Sequence, residues 1–126
     1  MKASKIGIVL WIVQALLCAL FLLSGGMKLV LSAAVLTKGS PFSAPFLRFI
    51  GVAEILGAMG LVLPGITRIK PMLTPLAAIG LVIIMAGATV TTVATMGVKF
   101  AVLPFVTGIL AAFVAYGRRD WRTALR

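Results

Sequence analysis

The sequence predicts an all-α protein, a transmembrane four-helix bundle with both termini in the cytoplasm. Composition is the first reason. The 126 residues are 62% hydrophobic and only 11% charged, whereas soluble domains run about 45–50% apolar and about 25% charged. Mean hydropathy is +1.22. A soluble fold cannot hide this much apolar surface, so the solvent around the chain is lipid. The second reason is that apolar runs recur four times, each near the roughly 20 residues that a bilayer helix needs. The third is the asymmetry of the bases. Lys2, Lys5, Arg68, Lys70, Arg118, Arg119, Arg122 and Arg126 fall on the side of the termini, against Lys28, Lys38, Arg48 and Lys99 on the other. Eight against four places both ends inside, in one integral domain of a cytoplasmic (inner) membrane.

The first span is expected at about residues 6–28. Its charged start, Met1-Lys-Ala-Ser-Lys5, suits a signal peptide, but the apolar run is long for one and long enough to cross. Leu17 precedes Cys18 where a lipoprotein cleavage site needs a small residue, so the segment is expected to be retained. Trp11, Gln14, Cys18, Phe21, Gly25 and Lys28 recur at three and four and share one helix face. That face is either a packing seam, with Gln14 bonded to a neighbouring helix, or the polar lining of a small-ligand site. Residues 29–37 are apolar but too short to span. They extend the first helix or lie at the interface.

The second span is expected at about 44–63, after Pro41 and Pro45, with the turn Lys38-Gly39-Ser40-Pro41 before it and Pro64-Gly65 opening the turn after it. Gly51, Glu54, Ala58 and Leu61 share one face, beside a small-residue seam of Ala53, Gly57 and Gly60. The third span is expected at about 72–95. It carries Gly80, Gly87, Thr91 and Ala94 on one face, with Thr89, Thr92 and Thr95 nearby. Threonines on a helix bond their own backbone carbonyls, so packing is the plain reading; a hydroxyl-lined vestibule near Glu54 is the sharper one. Met96-Gly97 makes a tight turn into a fourth span at about 98–116, with Pro104 as a kink. Arg118-Arg119-Asp120-Trp121-Arg122 reads as an interfacial anchor on anionic lipid headgroups, with Trp11 and Trp121 in an aromatic belt on that face.

Glu54 is the strongest functional lead. The only other acid is Asp120. An ionised carboxylate at a helix centre is penalised by about 2.5–3.5 kcal/mol on insertion scales. Glu54 is therefore protonated, paired with a buried cation, or lining a wet cavity. Lys28 and Arg48 both lie within reach, and either pairing lowers the burial penalty. The candidate ligand, proton or ion-pair site is thus Glu54, Lys28, Arg48, Gln14 and Thr91.

No catalytic residue and no metal site is expected. With no histidine and one cysteine, haem ligation by histidine, a histidine-based zinc site and a Cys-His nucleophile are excluded within the chain. No nucleotide loop or catalytic triad appears. Cys18, in an apolar run, reads as packing. The net charge of +10 would suggest nucleic acid in a soluble protein. Here the bases sit at segment ends, and lipid is the expected contact, not nucleic acid.

The run Arg48-Phe-Ile-Gly-Val-Ala-Glu54-Ile-Leu-Gly57-Ala-Met-Gly60-Leu-Val-Leu-Pro64-Gly65 resembles the DoxX-like membrane family, as does Leu76-Ala-Ala-Ile-Gly80 through Ala88. Ser24-Gly-Gly-Met-Lys28 resembles that family's small-residue–Lys signature. The likeness covers about residues 15–95. It implies a four-helix membrane bundle with Lys28 and Glu54 as a polar pair. It also implies an accessory or scaffold subunit of a quinone-linked membrane oxidoreductase, or of a lipid- or quinone-handling complex. Such a role brings quinone or lipid bound non-covalently, no intrinsic cofactor, and an oxidoreductase partner or a homo-oligomer. Relatives often carry a histidine where this chain has Thr91-Thr92, which speaks against metal or redox ligation there.

Three alternatives accompany that expectation. A small proton-coupled transporter or channel would use Glu54, although small multidrug exporters carry their acid in the first helix, not the second. An enzyme on a lipophilic substrate would use Glu54 as acid or base, with Lys28 or Arg48 holding an anion. The last is a structural membrane protein without a ligand.

Overall fold

The computed structural model describes residues 5–38, 41–67, 69–70 and 72–119. Lys2, Gly39, Ser40, Arg68, Pro71, Asp120, Trp121, Arg122 and Arg126 lie outside the described residues. Five helices follow in order: α1 (Lys5–Val30), α2 (Ala33–Thr37), α3 (Ala44–Thr67), α4 (Leu73–Thr95) and α5 (Val98–Gly117). Among the described residues there is no strand. All but α2 are long and apolar enough to cross a membrane. The short connections make successive spans antiparallel, so the start of α1 and the end of α5 face one side, termed here the terminal side.

Each long helix buries only a narrow stripe. Leu10, Gln14, Leu17, Phe21 and Gly25 form it on α1, and Gly51, Glu54, Gly57, Ala58, Leu61 and Pro64 on α3. Thr74, Ala78, Leu81 and Met85 form it on α4; Ala101, Thr107, Ala111 and Val114 on α5. Large apolar side chains such as Leu23, Phe49 and Val90 are exposed, as expected where lipid tails are as apolar as the core. α1 packs on α3, α3 on α4 and α4 on α5, while α1 and α5 close the ring with the sparsest contact of the four.

Two connections are set by local chemistry. The Ser32 hydroxyl accepts from the Val35 amide and caps α2. Gly97 turns α4 into α5 at φ +101°, in the region where a side chain is strained. The segment after α1 therefore resolves into an end at Val30 and a short separate helix, rather than one continued span.

Two features differ from the sequence-based expectation. Pro64 does not open a turn; it lies inside α3, which runs on to Thr67. Proline removes the N–H that would bond the carbonyl four residues back. That carbonyl, on Gly60, instead accepts the Thr74 hydroxyl of α4 at 2.9 Å. The next one, on Leu61, accepts the Gln14 amide of α1 at 2.5 Å. Helix breakers survive in lipid where neighbouring helices re-satisfy the freed backbone. The second difference is the glycine face of α4. Nothing lies within 4 Å of where a Cβ on Gly80 or Gly87 would sit, so these small residues do not form a packing seam within the chain.

Candidate functional site

The polar centre is built by helix direction. In any α-helix the side chains lean toward the N-terminus. α1 runs away from the terminal side, so Lys28, near its end, leans back into the bilayer. α3 runs the opposite way, so Glu54 leans outward to meet it. The Lys28 Nζ lies 2.9 Å from Glu54 Oε1. Nζ also donates to the Ser24 hydroxyl at 2.9 Å, and the single proton of that hydroxyl is shared between Glu54 Oε1 at 3.4 Å and Oε2 at 3.3 Å. Serine, lysine and glutamate thus close a ring of hydrogen bonds.

The ring depends on a close backbone approach. A Cβ added to Gly25 would stand 2.6 Å from the Gly51 carbonyl oxygen, and one added to Gly51 would stand 2.9 Å from that of Gly25. Only glycine at both positions lets α1 and α3 come this near. Burial is unequal across the pair: Glu54 is 1% exposed, the Lys28 side chain 24%. The ammonium is therefore the face that the site presents.

Arg48 is not the partner of Glu54. The same rule of tilt turns it outward from α3, to the carbonyl end of α1. There its two terminal nitrogens donate to Lys28, Leu29 and Leu31 carbonyls, each at 2.9 Å. The Lys28 and Leu29 carbonyls are among those that the C-terminus of α1 leaves unpaired, Leu31 lies just past it, and a cation is favoured there.

The Lys28–Glu54–Ser24 ring lines a cavity of about 540 Å³ in the half of the bundle away from the termini. Its walls come from the ends of α1, α3, α4 and α5 on that side and are mostly apolar, Phe21, Ile50 and Met85 among them. Thr91, Thr92 and Thr107 bring hydroxyls from α4 and α5. Thr89, Thr95 and Thr107 donate to carbonyls one turn back. Among the described residues Thr91 and Thr92 make no such bond. The volume lies within the range of about 300–1,000 Å³ for small-molecule sites.

Gln14 does not belong to this cavity. It lies in the other half of the bundle, fully buried, and joins three elements. Its amide bonds the Leu61 carbonyl, and its oxygen accepts from Arg118 Nε at 2.8 Å. Arg118 also donates to the Gly7 carbonyl at 3.3 Å and stacks over the Trp11 ring. Arg118 is 2% exposed, which corrects its reading as a headgroup anchor. At the end of α5 its side chain leans back into the bundle, where Gln14 meets it. Arg119 is exposed, beside Tyr116. Sequence pattern misses Arg118 because it sits in a basic cluster, where headgroup contact is the ordinary outcome; the lone mid-span amide of Gln14 is the signal that a buried donor is near. Leu17 and Phe21 separate the two polar groups. The bundle is thus closed and cross-bonded on the terminal side and hollow on the other.

No curated protein and no solved structure matches the chain at a significant level. One family model does, over residues 12–114, which takes in α3 and α4 whole and most of α1 and α5. The chain belongs to the DoxX-like family.

Proposed function

We propose that this small integral membrane protein is an accessory subunit that holds a lipophilic, polar-headed molecule of the quinone or lipid class beside a membrane oxidoreductase. The supporting observation is the one-sided cavity, apolar along its walls with its charged groups gathered at the Lys28–Glu54–Ser24 ring. Ligand sites commonly pair an apolar lining with a few convergent polar groups. The chain has no histidine, so a histidine-ligated haem in such a complex would belong to the partner. In this reading the termini are cytoplasmic and the cavity faces the outer leaflet.

The test is native mass spectrometry of the protein gently extracted from its own membrane. A heteromeric mass, or a bound quinone or lipid, supports the proposal and names the partner. A bare monomer without a ligand overturns it in favour of a purely structural role. Proton-coupled transport through Glu54 is the second reading, favoured by the burial of that acid at mid-membrane. It requires the Gln14–Arg118 half to open in turn. A homo-oligomer whose proton-linked flux is lost in Glu54→Gln would establish it.

A further inference from the structure

An ammonium carries three N–H donors. Two of those on Lys28 are committed, one to Ser24 and one to Glu54. The third finds no acceptor among the described residues, and Lys28 lines the cavity. The carboxylate beneath it accepts from Lys28 and Ser24 and is 1% exposed. The site therefore shows the cavity a hydrogen-bond donor, backed by an equal and opposite charge.

We infer that Lys28 is the head-group selector of this cavity and that its ligands are neutral lipophiles with an acceptor head, of the ketone, ester or quinone type. This rests on the ligand-binding reading above and narrows it. A cationic head would meet the ammonium, the more exposed member of the pair, before the carboxylate. An anionic head could accept the third N–H, but it would bring a charge that Glu54 has already cancelled, into surroundings where net charge is penalised. A carbonyl oxygen accepts the same N–H and brings no charge. Glu54 is a positioning residue. It bonds Lys28 and Ser24, offers almost no surface at 1% exposure, and sets which charge class the site tolerates.

The experiment uses the full chain in lipid nanodiscs, with a dodecyl diazirine hydrocarbon as photolabel and peptide mass spectrometry to locate the label. Dodecan-2-one, dodecanoate and dodecylammonium compete at equal mole fraction in the bilayer. In the wild type, dodecan-2-one is expected to protect cavity residues about ten-fold better than either charged probe, because dodecylammonium forfeits the hydrogen bond to the ammonium and dodecanoate adds an uncompensated charge. Glu54→Gln leaves the ammonium uncancelled and is expected to move the preference to dodecanoate by a similar factor. Because Lys28→Met strands a buried carboxylate, the double variant Lys28→Met/Glu54→Gln serves as the charge-free control. It is expected to protect equally with all three probes. Preference of the wild type for dodecylammonium or dodecanoate, or a Glu54→Gln profile identical to wild type, overturns the assignment while leaving the cavity reading intact. A label that never reaches the cavity overturns the cavity reading itself.

Discussion

Removing the two members of the buried ion pair one at a time should give unequal losses. Lys28→Met leaves a carboxylate on a residue 1% exposed, held only by the Ser24 hydroxyl at 3.3–3.4 Å. Stranding one partner of a buried pair is penalised by about 3–5 kcal/mol. Glu54→Gln leaves an ammonium that is 24% exposed and close to the end of α1 at Val30. A long lysine stem can carry its charge outward from there. The expected loss is about 1–2 kcal/mol, a hydrogen bond to a charged group discounted for partial exposure. In the double variant Lys28→Met/Glu54→Gln no charge is buried. Neutral, well-packed replacements of buried pairs are often harmless, so it should recover most of the Lys28→Met loss. The assay is reversible unfolding in mixed micelles, followed by circular dichroism. If Glu54→Gln equals Lys28→Met, or if the double variant loses the sum of both, the pair is not one energetic unit and the unequal burial carries no weight.

Thr74→Val should lose about 1–2 kcal/mol, the upper range for an interhelical hydrogen bond in lipid. It should lose less in a Pro64→Ala background, where residue 64 regains an N–H for the Gly60 carbonyl; a two-by-two unfolding cycle reads this. Gly25→Ala places a methyl 2.6 Å from a backbone oxygen and should be destabilising by about 1–3 kcal/mol, whereas Gly80→Ala meets open space and should be neutral or stabilising in the same measurement. Gln14→Leu removes the bonds to both Leu61 and Arg118 and should lower stability by about 2–3 kcal/mol without changing probe binding in the cavity. Arg48→Ala should raise hydrogen exchange at the end of α1 and in residues 31–38, with photolabelling of the cavity unchanged.

Much of the architecture was legible in the residues. The ends of the spans follow from Pro, Gly and the bases, and three of the four helices close within a few residues of where pattern puts them. The exception is α3, where Pro64-Gly65 has the chemistry of a turn. Whether a proline ends a helix depends on whether something else bonds the carbonyl it abandons, and here that is Thr74, from another helix. The stripe Gly51, Glu54, Ala58 and Leu61 is buried as its spacing suggests. The stripe Gly80, Gly87, Thr91 and Ala94 is not, because small residues at helical spacing permit close packing without requiring it.

Composition determines that this chain lives in lipid, and the order of its residues adds the four helices and the one acid that falls inside a span. Lipid is also why composition stops there. Where the surroundings are as apolar as the core, periodicity no longer says which face turns inward, and close packing and polar contacts choose it. The partner of Glu54 follows from the direction in which each helix crosses the membrane, which leans Lys28 inward and Arg48 outward. That Gln14 and Arg118, 104 residues apart, form a separate bond on the terminal side follows from α1 and α5 meeting there. The contact exists only once the ring of helices has closed.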